Sequence, residues 1–102
     1  MDFDEKVWKA LKRIPGGKVT TYKELAKAIG NNNASRAVGN ACNKNPHSPR
    51  VPCHRVVSSF GKIGGYAHGV KKKISLLKKE GVEVRNGKII DFEKKVFKNF
   101  GL

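Results

Sequence analysis

Residues 20–43 read TTYKELAKAIGNNNASRAVGNACN, and two helices can be predicted from this stretch. Thr21, followed three residues later by Glu24, matches a capping box, which predicts that the first helix begins here. Gly30 predicts its end, because glycine accepts the left-handed conformation that often follows a helix. The three asparagines after it predict a turn and an N-cap for a second helix at residues 34–44. Two short helices joined by a glycine-containing turn are typical of a helix-turn-helix.

One side of the second predicted helix consists of small residues, namely Ala34, Ala37, Gly39 and Ala41. Such a side would let the helix backbone approach a groove closely. Taken alone, the pattern fits an ordinary helical hairpin equally well.

The N-terminal flank predicts one more helix. Apolar side chains recur at helical spacing over residues 3–14, and acidic residues stand in or before the first turn, where the helix dipole favours negative charge. The Pro-Gly-Gly run at 15–17 ends this helix. Residues 18–20 then predict a short extended piece.

The segment after the two helices is irregular at first. Residues 45–52 carry three prolines in eight positions, which excludes regular structure. Residues 51–57, VPCHRVV, predict a short apolar extended piece. A glycine-rich loop at 61–69 surrounds Tyr66.

The C-terminal third predicts a helix, a hairpin and a helix. Residues 70–79 form a basic amphipathic pattern with Val70, Ile74 and Leu77 on the inward side. Residues 82–90 read as a β-hairpin turning at Asn-Gly, and a last helix covers about residues 92–100. The chain is thus predicted to be one small α+β domain over residues 1–102. It is mainly helical, with a winged-helix-like helix-turn-helix and a short hairpin.

The charge favours an anionic partner. Lys and Arg number 22 against eight Asp and Glu, which gives a net charge of +14. Such a field attracts polyanions by steering and counterion release. A lysine-rich surface without a role, a ribosome-associated protein and a membrane-surface protein are the alternatives.

The sequence gives no sign of export or membrane insertion. It has no apolar run of the roughly 20 residues that span a bilayer, and its first residues are acidic where a signal peptide would be basic. We therefore expect an intracellular protein, cytoplasmic or nucleoid-associated, with no membrane partner. Cys42 and Cys53 are expected to be reduced thiols, with Cys42 in the core.

Cys53 has neighbours that suit a nucleophile. A free thiol is only a few per cent ionised at neutral pH, and an imidazole base or a nearby cation increases that fraction. His54 and Arg55 follow directly. Successive side chains of a strand point to opposite faces, so either Pro52 bends the chain or a water relays the proton.

Two plainer interpretations of these cysteines stay open at this point. Cys53 could be an inert buried thiol. A zinc site could be drawn from Cys42, His47, Cys53, His54 and His68, but their spacing matches no ligand pattern. We therefore expect no metal.

The chain resembles the O6-alkylguanine-DNA alkyltransferases over about residues 3 to 84. The run PCHRVV, preceded eight residues earlier by an asparagine, is similar to the active-site segment of that family. Five further blocks follow the family's order and spacing: TTYKELA, SRAVGNA, NKNP, GGYAHG and LLKKEGV. The resemblance covers the catalytic and DNA-binding half, and the family's usual N-terminal domain is expected to be absent.

The resemblance implies direct reversal of DNA damage in a single turnover. Cys53 would take a methyl or other alkyl group from O6 of guanine, or from O4 of thymine, as a permanent thioether. His54, acting through a water and held by Glu80, would take the thiol proton. The alkyl group comes from the DNA, so no cofactor is expected.

The resemblance also implies how a base is flipped out and held. Arg36 would fill the vacated stack, and Tyr22 would press the flanking phosphate and bind the flipped base. Asn45 would tie the cysteine turn to the recognition helix. The base pocket would consist of Tyr66, the backbone of Val56 and Ala67, and His68.

The implied partner is double-stranded DNA containing O6-alkylguanine. The recognition helix would enter the minor groove with Ala37, Gly39 and Ala41 leading, and the protein would act as a monomer. Readout there is nearly sequence-blind.

Three other functions remain as alternatives. A non-enzymatic alkyltransferase-like protein would bind the lesion without repair, but those relatives replace the nucleophile, often with tryptophan. A basic helix-turn-helix regulator would leave the Cys-His pair without a role, and a cysteine hydrolase would leave the basic surface unexplained.

Overall fold

Five helices and four two-residue strands are present in the computed structural model, which describes residues 2–101. A 3-10 turn at Cys53–Arg55 precedes the second strand. In chain order the elements are α1 (Phe3–Leu11), β1 (Thr20–Thr21), α2 (Tyr22–Ala28), α3 (Ser35–Asn43), β2 (Val56–Val57), α4 (Val70–Lys79), β3 (Val84–Arg85), β4 (Lys88–Ile89) and α5 (Phe92–Lys95). The prediction of a mainly helical α+β chain is confirmed.

Helix α2 begins and ends as its local signals predict. The Thr21 hydroxyl accepts a hydrogen bond from the Glu24 amide at 3.0 Å, which satisfies one of the amides left free at a helix start. Gly30 has a φ of +87°, a conformation that glycine adopts without strain.

The N-cap prediction for α3 is wrong. Ala34 occupies the N-cap position, and it makes no side-chain capping bond. The Asn31 side chain instead accepts from the Asn33 amide at 3.2 Å, so an asparagine stabilises the turn itself.

The main core lies among α1, α2 and α3. Val7, Leu11, Leu25 and Val38 are fully buried there. The Trp8 indole on α1 donates a hydrogen bond to the Ala41 carbonyl on α3 at 2.8 Å. This bond fixes α1 against the C-terminal half of α3.

Strands β1 and β2 connect the helix pair to the cysteine segment. They pair in parallel, with Thr20 opposite Val56 and Thr21 opposite Val57. The strand that follows Cys53 therefore runs beside the strand that leads into α2.

The predicted extended conformation of residues 51–57 is only partly right. Residues Val56–Val57 are extended, but Cys53–Arg55 form a 3-10 turn. The chain turns at Pro52, whose ψ is 66°. The bend that the sequence left as one of two possibilities is present.

The inward side of α4 differs from the prediction. Leu77 is fully buried, but Val70, the first residue of the helix, is 41% exposed. Lys73 is fully buried instead, one helical turn before Leu77, so these two residues share the inward side.

The C-terminal hairpin is confirmed, and the last helix is shorter than predicted. Strands β3 and β4 pair in antiparallel fashion around Asn86 and Gly87, both with positive φ. Helix α5 ends at Lys95, because Val96 pairs beside Val19 and Phe100 is buried in the main core. The second core cluster consists of Val19, Val57, Leu77, Val82 and Ile89.

Within residues 2–101, none of the helices combines the length and the apolar character needed to cross a membrane.

Candidate active site

The Cys53 turn is attached to the end of α3 through Asn45. The Asn45 side-chain amide donates to the Val51 carbonyl at 2.7 Å, and its oxygen accepts from the His47 amide at 3.0 Å. The Cys53 amide donates to the same Val51 carbonyl at 2.9 Å. Cys53 itself is 5% exposed. One buried asparagine therefore sets the position of the turn that carries the thiol.

His54 is oriented by a carboxylate at one of its two ring nitrogens. Its Nε2 lies 3.0 Å from Oε2 of Glu80, the residue after α4. Since a carboxylate accepts, Nε2 carries the proton, and Nδ1 has the lone pair. This buried Nδ1 has no protein hydrogen-bond partner among residues 2–101. The ring can accept a proton at Nδ1.

Arg55 holds Glu80 with two hydrogen bonds. Its Nε lies 3.0 Å from Oε1 and its Nη2 lies 2.7 Å from Oε2, a bidentate arrangement. Its Nη1 donates to the Ile14 carbonyl at 2.7 Å. The sequence allows Arg55 as a cation for the thiol, but its guanidinium binds the carboxylate that orients His54.

The ionisation of the histidine and the glutamate follows from these contacts. Burial lowers the pKa of His54 and outweighs the opposing hydrogen bond from Glu80, so the ring is neutral at pH 7. Burial acts to raise the pKa of Glu80, but the hydrogen bonds from Arg55 and His54 lower it overall. The site thus holds a neutral imidazole beside an ionised carboxylate.

Lys73 is a buried cation that the sequence analysis missed. Its Nζ donates to the Gly65 carbonyl at 2.9 Å, and no carboxylate in the part of the chain that the structure describes pairs with it. Burial lowers its pKa to about 8, while negative charge on Cys42 and Cys53 opposes that shift. In the sequence it is one of three consecutive lysines, and nothing local distinguishes it.

Two tyrosines lie beside the cysteine turn. Burial, and then the charges of Cys42 and Cys53, raise the pKa of Tyr22 to about 12. The Tyr66 hydroxyl lies 2.6 Å from the Ser48 hydroxyl. Burial also raises the pKa of Tyr66. Both phenols stay protonated at neutral pH and can donate hydrogen bonds.

Histidine rings surround the Tyr66 ring. His68 packs edge to face against it, with ring centres 5.3 Å apart. The centre of the His54 ring lies 6.4 Å from that of Tyr66, at a similar interplanar angle. Ala67 and His68 are exposed. This loop forms one wall beside the cysteine turn.

Cys42 has the core position predicted for it. It is 6% exposed, and burial raises its pKa to about 12. It is a protonated packing residue. Residues 2–101 contain no group of three or more His, Cys, Asp or Glu side chains placed to hold a metal ion.

A shallow groove of about 470 Å³ runs along α3, and we call it the α3 groove. It contains two cations and no carboxylate, and its lining residues are Tyr22, Lys23, Ser35, Arg36, Gly39, Asn40, Asn43, Ser58 and Ser59. A larger cleft of about 870 Å³ lies beside α5. Cys53 lines neither of these two openings.

Two of the predicted contact residues are not accessible. Ala41 is fully buried, with its carbonyl bound to Trp8, so it cannot meet DNA. Val56 is also fully buried and paired with Thr20, so its backbone offers no surface to a base in this conformation. Ala37 is exposed and Gly39 is half-buried.

The sequence profile described as "6-O-methylguanine DNA methyltransferase, DNA binding domain" matches residues 2–82. The chain is 56% identical over 80 residues to the methylated-DNA–protein-cysteine methyltransferase of Methanosarcina acetivorans, which covers 78% of this chain and 51% of that protein. The chain spans about half the length of the curated relatives of this name that it matches.

Solved structures with the same fold include DNA complexes. Mycobacterium tuberculosis OGT in complex with DNA superposes with a TM-score of 0.77 and 47% identity, over 79% of this chain and 49% of that one. S. pombe Atl1, in complex with damaged DNA containing O6-carboxymethylguanine, has a TM-score of 0.80 and 35% identity, over 96% of this chain and 99% of that one. Together with the sequence profile, these similarities establish that the chain belongs to the 6-O-methylguanine DNA methyltransferase family, whose DNA-binding domain it carries.

Proposed function

We propose that this protein repairs O6-alkylguanine in DNA by transferring the alkyl group to Cys53 once and permanently. The observation that carries the proposal is the connected series Arg55, Glu80 and His54, which ends at a free imidazole nitrogen beside the cysteine turn. A lesion-binding protein without transfer would not need a base held in this way.

The proposed reaction is an in-line displacement at the alkyl carbon. The thiol proton passes through a water to Nδ1 of His54, and Glu80 stabilises the imidazolium that results. The sulfur–carbon bond forms as the carbon–O6 bond breaks. The electron pair of the broken bond stays with the guanine, which takes up a proton and is left as an ordinary base.

The charge of Lys73 supports the same step. Negative charge on Cys53 interacts favourably with this buried ammonium. Among residues 2–101 no carboxylate forms an ion pair with Lys73. Lys73 also fixes Gly65, the residue before Tyr66.

The lesion has to leave the duplex before it can reach a thiol that is 5% exposed. Flipping a nucleotide costs a few kcal/mol. Arg36 is exposed in the α3 groove and can occupy the vacated stack, while Tyr22 lies between that groove and the cysteine turn. The flipped base would enter between Tyr22 and the loop of Tyr66, Ala67 and His68.

The α3 groove is the proposed DNA contact, made in the minor groove. Lys23 and Arg36 lie in it without any carboxylate, which suits a phosphate backbone. Gly39 and Ala37 add little side-chain bulk, so the backbone of α3 can approach the DNA closely. Because nucleophile and groove belong to one domain, we propose that this domain performs both tasks as a monomer inside the cell.

A second candidate function is recognition of the lesion without transfer. The near-complete mutual coverage with S. pombe Atl1 bound to O6-carboxymethylguanine DNA favours it. Cys53 and its oriented imidazole favour transfer.

Intact mass spectrometry separates the two functions. After incubation with an oligonucleotide carrying O6-methylguanine, the wild-type mass should rise by one CH2, and peptide mapping should assign the gain to Cys53 rather than Cys42. Cys53→Ala should bind the same DNA and gain no mass. If wild type binds the lesion tightly but its mass stays constant, the protein only recognises the damage.

A further inference from the structure

Phe60 is held on the surface in a conformation that phenylalanine rarely adopts. It is 89% exposed, and with Val70 at 41% it is one of two exposed large apolar side chains among residues 2–101. Its φ of +64° and ψ of +15° lie in the left-handed region, where a bulky side chain is strained. Strain of this kind persists only where the surroundings impose it, and it concentrates at functional sites.

The surroundings do impose it, through the Phe60 loop (residues 58–62). The Ser58 amide donates to the Lys62 carbonyl at 2.8 Å and the Gly61 amide to the Ser58 carbonyl at 3.2 Å. Gly61 is buried, and a Cβ there would lie 2.8 Å from Cγ of Phe92. With Gly61 fixed against the Phe92 ring, the loop directs Phe60 away from the protein.

Phe60 lines the cleft beside α5, and the two serines before it line the α3 groove. On one side, the cleft beside α5 is lined by as many acidic as basic side chains. On the other side, Ser58 and Ser59 of the Phe60 loop line the α3 groove, which contains Lys23 and Arg36 and no carboxylate. The Phe60 loop therefore borders both surfaces, with Ser58 and Ser59 on the cationic one.

We propose that Phe60 contacts the DNA beside the flipped nucleotide, by stacking on an exposed base or wedging against a base step. Proteins that bind the minor groove frequently insert such an apolar side chain next to cationic groups, and aromatic rings stack on any base. This inference rests on the proposed function, because it takes DNA as the partner of the α3 groove.

Duplex affinity tests the proposal without requiring alkyl transfer. Fluorescence anisotropy at fixed salt would compare wild type, Phe60→Asn and the matched control Val70→Asn on an unmodified duplex and on one carrying O6-methylguanine. Asparagine tolerates the left-handed conformation, so the loop is retained. We expect Phe60→Asn to bind both duplexes about tenfold more weakly than wild type. The control should bind them as tightly as wild type.

Two further measurements identify the origin of the loss. The slope of log affinity against log salt should not change in Phe60→Asn, since no phosphate contact is removed. The melting temperature should be at least that of wild type, since a strained side chain has been replaced.

Wild-type affinity in Phe60→Asn, or an equal loss in Val70→Asn, would overturn the proposal. So would a change from oligomer to monomer in sedimentation with unchanged duplex affinity, because Phe60 would then bind a second copy of the chain. If Phe60→Asn loses affinity while wild type never gains mass from methylated DNA, the proposed transfer fails and the DNA contact of Phe60 stands.

Discussion

Nε2 of His54 and Oε2 of Glu80 lie 3.0 Å apart, although 26 positions separate the two residues in the chain. Helix α4 packs on the Cys53–Arg55 turn, and this packing brings the carboxylate at its end to the imidazole. The histidine–glutamate pair is therefore assembled by tertiary contact.

Glu80→Gln should slow methyl transfer by on the order of tenfold to a hundredfold, because the imidazolium loses its counter-charge. Single-turnover rates measured against pH provide the readout. In wild type the rate should fall only below the ordinary pKa of histidine, since burial lowers the pKa of His54. A Glu80→Gln protein with the wild-type rate would remove Glu80 from the mechanism.

The same substitution should change acid stability. The pKa of Glu80 is lower in the folded protein than in the unfolded chain. The ionised carboxylate therefore contributes fully to folding stability above the pKa of an unfolded glutamate, and this stability is lost as pH falls through the lowered value. Urea unfolding should therefore find Glu80→Gln less stable by about 1–3 kcal/mol at pH 7. The difference should shrink toward pH 3.

Lys73→Met should make the protein more stable and less reactive. The folded pKa of about 8 lies below the ordinary 10.5, so burying the charge costs stability below pH 8, and this cost is relieved as pH rises from 8 to 10.5. The gain at pH 7 is about 3 kcal/mol at most, and it should decrease by pH 10.5. Transfer should slow because Cys53 loses its nearby cation.

Lys72→Met is the matched control for this prediction, since Lys72 is exposed on the same helix. It should leave stability and transfer near wild type. A Lys73→Met protein that transfers at the wild-type rate would reduce Lys73 to a packing residue.

Gly39→Ala should stabilise the protein and lower its affinity for DNA. A Cβ at this position would lie 3.9 Å from the Tyr22 ring, an ordinary contact, so the fold can accept it. Alanine in a helix interior is about 0.5–1 kcal/mol better than glycine. Duplex affinity should nevertheless fall severalfold, as the added methyl separates α3 from the groove. A gain in stability with unchanged duplex affinity would show that DNA does not contact α3 at Gly39.

Arg36→Ala should reduce repair in a duplex much more than reaction with the free modified base, because only the duplex needs the vacated stack filled. Arg50, also exposed but outside the α3 groove, provides a control of equal charge. Equal losses on both substrates would show that Arg36 is not the inserted residue.

The parts that the sequence predicts well are those with local causes. Thr21 and Gly30 bound α2 through their own side chain or conformation, and Asn86-Gly87 specify their turn wherever they occur. Among the candidate site residues, Cys53 and His54 are also indicated by their own chemistry, whereas Glu80, Tyr22 and Arg36 are indicated only by the resemblance of whole blocks.

The failures have distant causes. The turn at Cys53 ends where Val56 pairs with Thr20, and α5 ends where Val96 pairs beside Val19. Lys73 is buried only because α4 packs with that side inward. The hydrophobic periodicity of a short stretch of sequence carries no information about these contacts.

Trp8, whose indole is bonded to the Ala41 carbonyl at 2.8 Å, is the single tryptophan of the sequence. Any shift of α3 that strains or breaks this bond changes the polarity around the indole, and with it the wavelength of its emission. The native chain thus contains an intrinsic optical probe at the back of α3, where fluorescence can test the proposed docking on a duplex without an added dye.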